Sequence, residues 1–203
     1  LQINPSSKDV IQAIEELELK VRMSKIESIQ YEALIAEVNE QWTLAKKHYE
    51  AILKLDANIK DASESLKTVN QRISLASELI FFTANADNLS DDDLLKKAKK
   101  TLNQASAIKK KGPVLVGQIA NLENIISLAS VPINILILSD EMTIVTLYKV
   151  GELGVFLNKK MALRPGIYKA VGTRNGFRDV SLRFKVLPGK NNQSFRIECK
   201  ERV

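Results

Sequence analysis

The sequence has no glycine in its first 111 residues and no proline between Pro5 and Pro113. Both residue types interrupt helices and supply turns, so their absence predicts a long run of helices joined by polar residues. All eight glycines lie in the last 92 residues, where their spacing suits the turns between short β-strands. We therefore expect an α+β chain in two segregated domains. An all-α helical-hairpin bundle over residues 1–130 is followed by a small antiparallel β-sandwich over residues 131–203.

Cysteine and histidine each occur once, as Cys199 and His48. A single cysteine excludes an intrachain disulfide, and one residue of each type excludes a zinc site of the usual Cys/His kind. Nothing in the sequence suggests partners for Ser-His or Cys-His catalysis, so a hydrolase is disfavoured. We expect His48 to lie on the surface or pack within a helical hairpin, and Cys199 to be a buried, inert thiol.

The glycines and the acidic cluster also do not form recognised ligand-binding loops. Gly151–Gly154 and Gly172–Gly176 lack the following Lys-Ser/Thr and the strand–loop–helix context of phosphate loops. Asp91–Asp93 lack the alternating spacing and the glycine of a calcium loop. These acids are predicted to sit at the start of a helix that Ser90 caps. We expect no catalytic residue, no metal and no cofactor.

Apolar residues recur every three or four positions through the first 130 residues, which predicts five or six antiparallel helices with short connections. The first helix is predicted to start near Ser6 and Ser7, and the helix after Ser90 to end with Lys109–Lys111 and a stop at Gly112. One segment resembles the second helix of a tetratricopeptide repeat: Trp42-Thr-Leu-Ala45-Lys-Lys-His-Tyr49-Glu-Ala-Ile52-Leu53-Lys-Leu55-Asp56-Ala57. The resemblance implies a helical groove that binds a protein partner.

From Val131 onward the apolar period changes from 3.6 to 2, which predicts six or seven short strands. Gly151–Gly154 is predicted to be a turn, and Asn175-Gly176 a type I′ hairpin turn. Residues 163–172, Leu-Arg-Pro-Gly-Ile-Tyr-Lys-Ala-Val-Gly, with Gly176-Phe177 resemble the motif of the PEGA domain. That resemblance implies a small β-sandwich, a Tyr168 side chain on its inner face and no assigned catalytic residues.

PEGA domains belong to bacterial and archaeal surface and envelope proteins, so the resemblance also implies a location. We expect the chain to be extracytoplasmic, either periplasmic or envelope-anchored, and the alternative is cytoplasmic. No apolar run approaches the ~20 residues of a membrane-spanning helix. The first residue is Leu1 rather than methionine, and the sequence does not tell whether a signal or transmembrane segment precedes it.

Charge is divided unevenly along the chain. Residues 1–130 carry 17 basic and 18 acidic side chains, whereas residues 131–203 carry 13 basic and 6 acidic ones. The basic excess suits either solubility or an anionic partner such as a glycan, a membrane surface or an acidic protein; nucleic acid is disfavoured because no recognition module is present. The candidate residues for this contact lie on neighbouring strands with a shared solvent face: Arg174, Arg178, Arg183, Lys185 and Arg196.

The predicted function is a non-enzymatic scaffold or adaptor of the bacterial cell envelope. The helical part would bind a protein partner, and the basic sandwich would act as a spacer or contact an anionic surface. The alternative is a module that binds a carbohydrate or a lipid headgroup. The oligomeric state does not follow from the sequence.

Overall fold

The computed structural model describes residues 8–203 and has five α-helices followed by seven strands. The helices are α1 (Lys8–Val38), α2 (Trp42–Leu55), α3 (Lys60–Ala84), α4 (Asp92–Ser106) and α5 (Pro113–Ser130), with a 3₁₀ turn at Ala86–Asn88. The α+β class is confirmed. The helix start predicted at Ser6 and Ser7 lies outside the described residues.

The chain forms two compact units that do not follow the change from helix to strand. Within the described residues, the first unit contains those up to 77 together with 110–115. The second contains residues 78–109 and 116–203. The domain boundary predicted at residue 130 stays a prediction.

The core of the first unit lies where α1 and α2 pack as an antiparallel hairpin with the beginning of α3. Small residues allow the helices to approach closely, and aromatic and aliphatic side chains fill the remaining space. The buried residues of this core are Ala33, Ala36, Ala45, Tyr49, Ile52, Ala62 and Val69. The small and aromatic positions of the Trp42–Ala57 segment therefore lie at a helix–helix contact.

The turn between α1 and α2 is made without glycine. Glu40 adopts a left-handed conformation with φ 55°, and the main-chain N–H of Gln41 donates to the carbonyl oxygen of Ala36 at 2.8 Å. After α2, the Asp56 carboxylate accepts a hydrogen bond from the N–H of Asn58 at 2.8 Å. Polar residues thus supply these turns, as the lack of glycine and proline predicts.

The two ends of α4 differ from the prediction. Asp91 rather than Ser90 is the N-cap, and its carboxylate accepts hydrogen bonds from the N–H groups of Asp93 and Leu94, both at 3.1 Å. The helix ends at Ser106, so Lys109–Lys111 lie beyond its last turn and Gly112 does not stop it. The absence of a side chain at Gly112 instead makes room for Glu40, because a Cβ there would lie 2.3 Å from the Glu40 Oε2 atom.

The strands form two small sheets. One is ordered β4-β1-β7, from β1 (Ile133–Leu138), β4 (Asn158–Leu163) and β7 (Gln193–Arg196). The other is ordered β3-β2-β5-β6, from β2 (Ile144–Leu147), β3 (Gly151–Gly154), β5 (Gly166–Thr173) and β6 (Val180–Val186).

Two features of these sheets contradict the sequence prediction. Gly151–Gly154 is not a turn but forms β3, which pairs with β2 across an irregular register. The last strand, β7, runs parallel to β1, so the expected purely antiparallel arrangement is wrong there. A long connection through the second sheet separates β1 from β7, and this leaves the chain free to return in either direction.

Both sheets contribute to a single buried cluster. Alternate residues of β1 point into it, as do alternate residues of β5 and the end of β6. Its buried members are Ile133, Ile135, Ile137, Val145, Leu147, Leu163, Tyr168, Ala170, Phe184, Val186 and Ile197. The Tyr168 and Phe184 rings stack with their centroids 5.8 Å apart, so the inward position expected for Tyr168 is confirmed.

The connection between β5 and β6 contains a turn at Arg174–Phe177, but it is not of type I′. The Phe177 N–H donates to the Arg174 carbonyl oxygen at 3.1 Å, and Gly176 has φ 76° while Asn175 is not at positive φ. A type I′ turn needs both central residues at positive φ, whereas a type II turn needs only the second. The predicted turn type is therefore wrong.

No helix among residues 8–203 combines the length and the apolar character needed to cross a bilayer.

Candidate functional site

The outer side of the four-stranded sheet carries a run of basic side chains. Lys169 in β5 lies directly opposite Arg183 in β6, and Ile167 lies opposite Lys185. The residues between them point into the core, so these side chains point outward. Tyr148 follows β2 on the same outer side. We call Tyr148, Ile167, Lys169, Arg183 and Lys185 the basic face.

Lys169 and Arg183 hold like charges in directly opposite positions. Such pairs bring the Cβ atoms to about 5 Å and destabilise a sheet. Among the described residues, neither side chain has an ion pair with a carboxylate. The Lys169 Nζ atom lies 5.2 Å from the centroid of the Tyr148 ring, and Arg183 is exposed. The fold thus keeps two unneutralised cations side by side at an energetic cost.

A shallow groove of about 300 Å³ runs beside these two cations. Tyr148, Ile167, Lys169 and Arg183 line it, together with Lys149 and an edge of Tyr168. The groove therefore joins positive charge to an exposed aromatic ring and an aliphatic side chain. Such a combination can bind an anionic group with an apolar part attached.

The cations at the margin of the basic face are neutralised from within the chain. The Lys185 Nζ atom lies 2.6 Å from the Asp87 Oδ2 atom, and the Lys149 Nζ atom lies 2.8 Å from the Asp91 Oδ2 atom. The hydrogen bond from Lys149, with that from the Leu94 N–H, lowers the pKa of Asp91. Both carboxylates come from the segment between α3 and α4.

Gly166 allows that segment to approach the sheet. A Cβ atom at Gly166 would lie 2.6 Å from the Ser90 Oγ atom and 2.8 Å from the Asp87 carbonyl oxygen. The Gly166 φ of 151° is also one that other residues rarely adopt. A side chain at this position would therefore displace the acidic segment from the margin of the basic face.

The structure brings together two of the five cations predicted from the sequence. Arg183 and Lys185 share the outer side of β6. Arg196 lies in β7, which belongs to the other sheet, and its Nη1 atom is 3.0 Å from the Glu198 Oε2 atom. The hydrogen bonds from Lys200 and Arg196 lower the pKa of Glu198. Arg196 is thus neutralised locally.

The other two predicted cations lie near the connection between β5 and β6. Arg174 stacks over the Phe177 ring at 3.9 Å and lies 3.3 Å from the Asp140 Oδ2 atom. Burial raises the pKa of Asp140, but the Thr143 and Met142 N–H groups and the Arg174 charge outweigh burial and lower it. Arg178 lies 3.0 Å from the Glu201 Oε2 atom and is exposed. Arg174 therefore has a structural role in addition to any role in binding.

Tyr148, Ile167 and Lys169 are the members of the basic face that the sequence analysis missed. The alternation around Tyr168 places Lys169 on the outer side, which the sequence alone could have suggested. That it faces Arg183 depends on the register of β5 and β6, for which the sequence has no local signal.

A second concave region lies between the start of α4 and the strands. It is a cleft of about 610 Å³ whose charged lining residues include Asp91, Asp92, Lys149 and Arg164. Lys149 pairs with Asp91 and Arg164 pairs with Asp92, so opposite charges neutralise each other. The Tyr168 hydroxyl donates to the Arg164 carbonyl oxygen at 2.9 Å, and burial raises the Tyr168 pKa. The two ion pairs hold the start of α4 against the strands.

The remaining chemically active residues are placed as the sequence predicts. The His48 Nδ1 atom lies 3.3 Å from the Glu32 Oε2 atom, which puts it at the hairpin of α1 and α2. Cys199 is buried, and its thiol lies 3.3 Å from the Gly172 carbonyl oxygen. No group of three or more potential metal ligands occurs among residues 8–203.

No protein-family model matches this chain, and no curated protein matches its sequence. The resemblances to the tetratricopeptide repeat and to the PEGA domain therefore stay predictions.

Proposed function

We propose that this chain is a non-enzymatic scaffold or adaptor of the bacterial cell envelope. Its helical part binds a protein partner, and its β part acts as a spacer or presents the basic face to an anionic surface. The observation that carries the proposal is the uncovered apolar surface of α1.

The first half of α1 has apolar side chains that stay exposed among the described residues. Ile14, Leu17 and Val21 follow one another at spacings of three and four, and they are 51%, 62% and 62% exposed. Those spacings match the seam through which two helices pack. A helical segment without tertiary contacts is only marginally stable in water, so this half of α1 favours a helix of a partner protein as its neighbour.

We propose further that the helical hairpin is tetratricopeptide-like and that the two sheets form a PEGA-like β-sandwich. Three buried alanines at the α1–α2 contact, Ala33, Ala36 and Ala45, support the first proposal. The cluster shared by both sheets supports the second, since the two inner faces of a sandwich form one core. The envelope location rests on the PEGA resemblance.

Photo-crosslinking from α1 in cells tests the adaptor proposal. A photoreactive amino acid replaces Leu17, and a matched one replaces the exposed Lys54 of α2. We expect Leu17, but not Lys54, to form an adduct with a protein of the envelope fraction, and Ile14→Asp to abolish that adduct. Adducts only with cytoplasmic proteins, or none from Leu17, would contradict the proposal.

The second candidate function is a module that binds an anionic glycan or a lipid headgroup. The observation in its favour is the exposed Tyr148 ring next to Lys169, because sugar rings and interfacial lipids both use aromatic contacts. Sedimentation with phosphatidylglycerol vesicles and affinity electrophoresis in polygalacturonate test it. Binding that Lys169→Gln leaves unchanged would remove this face from consideration.

A further inference from the structure

The free edge of the four-stranded sheet lies next to the unneutralised cations. β6 is the last strand of the order β3-β2-β5-β6, so within residues 8–203 it pairs with no strand other than β5. Within residues 8–203, no other hydrogen bond reaches the main chain of Val180–Val186. Half of the N–H and C=O groups of an edge strand face away from the sheet and can pair with an added strand.

The side chains of β6 would direct such an added strand. Ser181, Arg183 and Lys185 alternate along its outer side, and among described residues Arg183 has no carboxylate partner. A residue directly opposite Arg183 on an added strand would bring its Cβ to about 5 Å from that of Arg183. An acidic residue there would receive a charge-assisted hydrogen bond and offset the repulsion between Arg183 and Lys169.

The same sheet already binds carboxylates of a polypeptide. Asp87 and Asp91, four residues apart in one segment, neutralise Lys185 and Lys149 at the margin of the basic face. Among the described residues, Arg183, two positions before Lys185 in β6, and Lys169 opposite it in β5 have no such partner. Aspartate or glutamate of a second segment matches this pattern, whereas a glycan or a lipid could not pair with the strand edge.

From this geometry we propose that an acidic, extended segment of a partner protein adds as a strand to the free edge of β6. One of its carboxylates lies opposite Arg183 and within reach of Lys169. This inference rests on the proposed adaptor function and names the chemistry of the partner for the β part. It concerns a different surface from α1, so the two proposals can fail separately.

Fluorescence anisotropy with the full chain and a labelled peptide of alternating aspartate and valine tests the inference. We expect the peptide to bind, and Arg183→Gln to weaken its binding about tenfold, as the loss of one charge-assisted hydrogen bond does. Lys160→Gln is the matched control, because Lys160 is an exposed strand residue of the other sheet. The Lys160→Gln variant should bind the peptide as tightly as the parent chain does. Circular dichroism checks that each variant is folded.

Two modified peptides separate strand addition from simple charge attraction. A peptide with serine in place of aspartate should not bind, and one with alternate amides N-methylated should bind at least tenfold more weakly. Equal binding of the N-methylated peptide, no binding of the parent peptide, or equal effects of Arg183→Gln and Lys160→Gln would overturn the inference. Tighter Arg183-dependent binding of polygalacturonate or phosphatidylglycerol vesicles would overturn it in favour of the second candidate function.

The α1 variant keeps this test independent of the adaptor proposal. Ile14→Asp should leave peptide binding unchanged, and Arg183→Gln should leave the adduct from Leu17 unchanged. If the parent chain forms the adduct from Leu17 but does not bind the peptide, strand addition is refuted and the α1 contact is not.

Discussion

At the scale of single residues, Glu40 makes a junction between distant parts of the first unit. Its side chain is only 4% exposed, and its two carboxylate oxygens accept hydrogen bonds from the N–H groups of Val114 at 2.7 Å and Leu115 at 3.0 Å. These N–H groups lie in the first turn of α5 and have no partner within the helix. The Arg72 guanidinium lies 3.8 Å from the same carboxylate and stacks 4.6 Å above the Trp42 ring. One left-handed residue thus ends α1 and caps α5.

We expect Glu40→Ala to lower the free energy of unfolding by about 2–4 kcal/mol. It removes two hydrogen bonds to a charged group and leaves the buried Arg72 charge without its carboxylate. Urea denaturation followed by circular dichroism measures the loss. Glu50→Ala is the control, since Glu50 pairs with Lys46 at the surface at 3.8 Å and should cost less than about 0.5 kcal/mol. Equal losses in the two variants would show that the Glu40 junction is not stabilising.

Tyr49 gives the first unit a dependence on alkaline pH. Burial and the Glu37 carboxylate, to which the hydroxyl donates at 2.8 Å, raise the pKa of Tyr49 from 10.0 to about 12. The folded state therefore favours the neutral phenol more than the unfolded state does. This stabilisation is complete below pH 10 and is lost as the pH rises through about 12.

Comparison with Tyr49→Phe isolates this contribution. Melting temperatures measured between about pH 9 and pH 11.5 should fall more steeply in the parent chain than in the variant, because phenylalanine has no proton to lose. Parallel curves would mean that Tyr49 does not carry the effect.

At the scale of elements, one pair of opposite residues destabilises the contact between β5 and β6. Lys169 and Arg183 repel each other across the two strands. We expect Arg183→Glu to raise the free energy of unfolding by roughly 0.2–1 kcal/mol, because it turns a repulsive pair into an attractive one. Chemical denaturation measures the change.

The control for this prediction is Lys160→Glu, since Lys160 lies opposite the uncharged Leu136. It should not be stabilising. A loss of stability in Arg183→Glu would show that another contact of Arg183 outweighs the repulsion.

The same strand pair shows how far the sequence can predict the fold. Periods of 3.6 and 2 are local signals, and they distinguish the helical part from most strands but do not decide between five and six helices. Register is not local: counting back from a two-residue turn at Asn175-Gly176 puts Leu182, not Arg183, opposite Lys169. Because the predicted turn was wrong, the sequence does not predict that Lys169 lies opposite Arg183.

Contacts between residues that are far apart in the chain also could not be predicted from the sequence. The parallel pairing of β7 with β1 and the capping of α5 by Glu40 both join residues more than 50 positions apart. Neither contact leaves a periodic pattern in the chain. Of the five predicted cations, four pair with carboxylates in the structure. The partners of Arg174, Arg178 and Lys185 lie 23 to 98 positions away, where a pattern of alternating residues does not reveal them.

At the scale of the whole molecule, the strands share a compact unit with helical residues that precede them. The second unit includes residues 78–109 and 116–130 as well as the strands. Ion pairs join Asp87, Asp91 and Asp92 to Lys185, Lys149 and Arg164. The segment that carries these acids also packs against Gly166.

We expect a fragment of residues 131–203 to melt at least roughly 5 °C below a fragment of residues 78–203, which corresponds to a loss of about 1 kcal/mol or more in a domain of this size. It lacks the acidic segment and the helical residues of its own unit. Differential scanning calorimetry of both fragments measures the difference. Equal melting temperatures would instead support an independent domain that begins at residue 131.

The junction at Glu40 also has a consequence for the order of events on the ribosome. The N–H groups that its carboxylate caps lie 74 and 75 positions later in the chain. At ordinary translation rates these residues are made roughly 4 to 15 seconds after Glu40. Until then a nascent chain can form the hairpin of α1 and α2, but the carboxylate of the left-handed Glu40 lacks the two N–H groups from which it accepts in the folded chain. The Glu40 carboxylate therefore gains these two partners only after translation has passed residue 115.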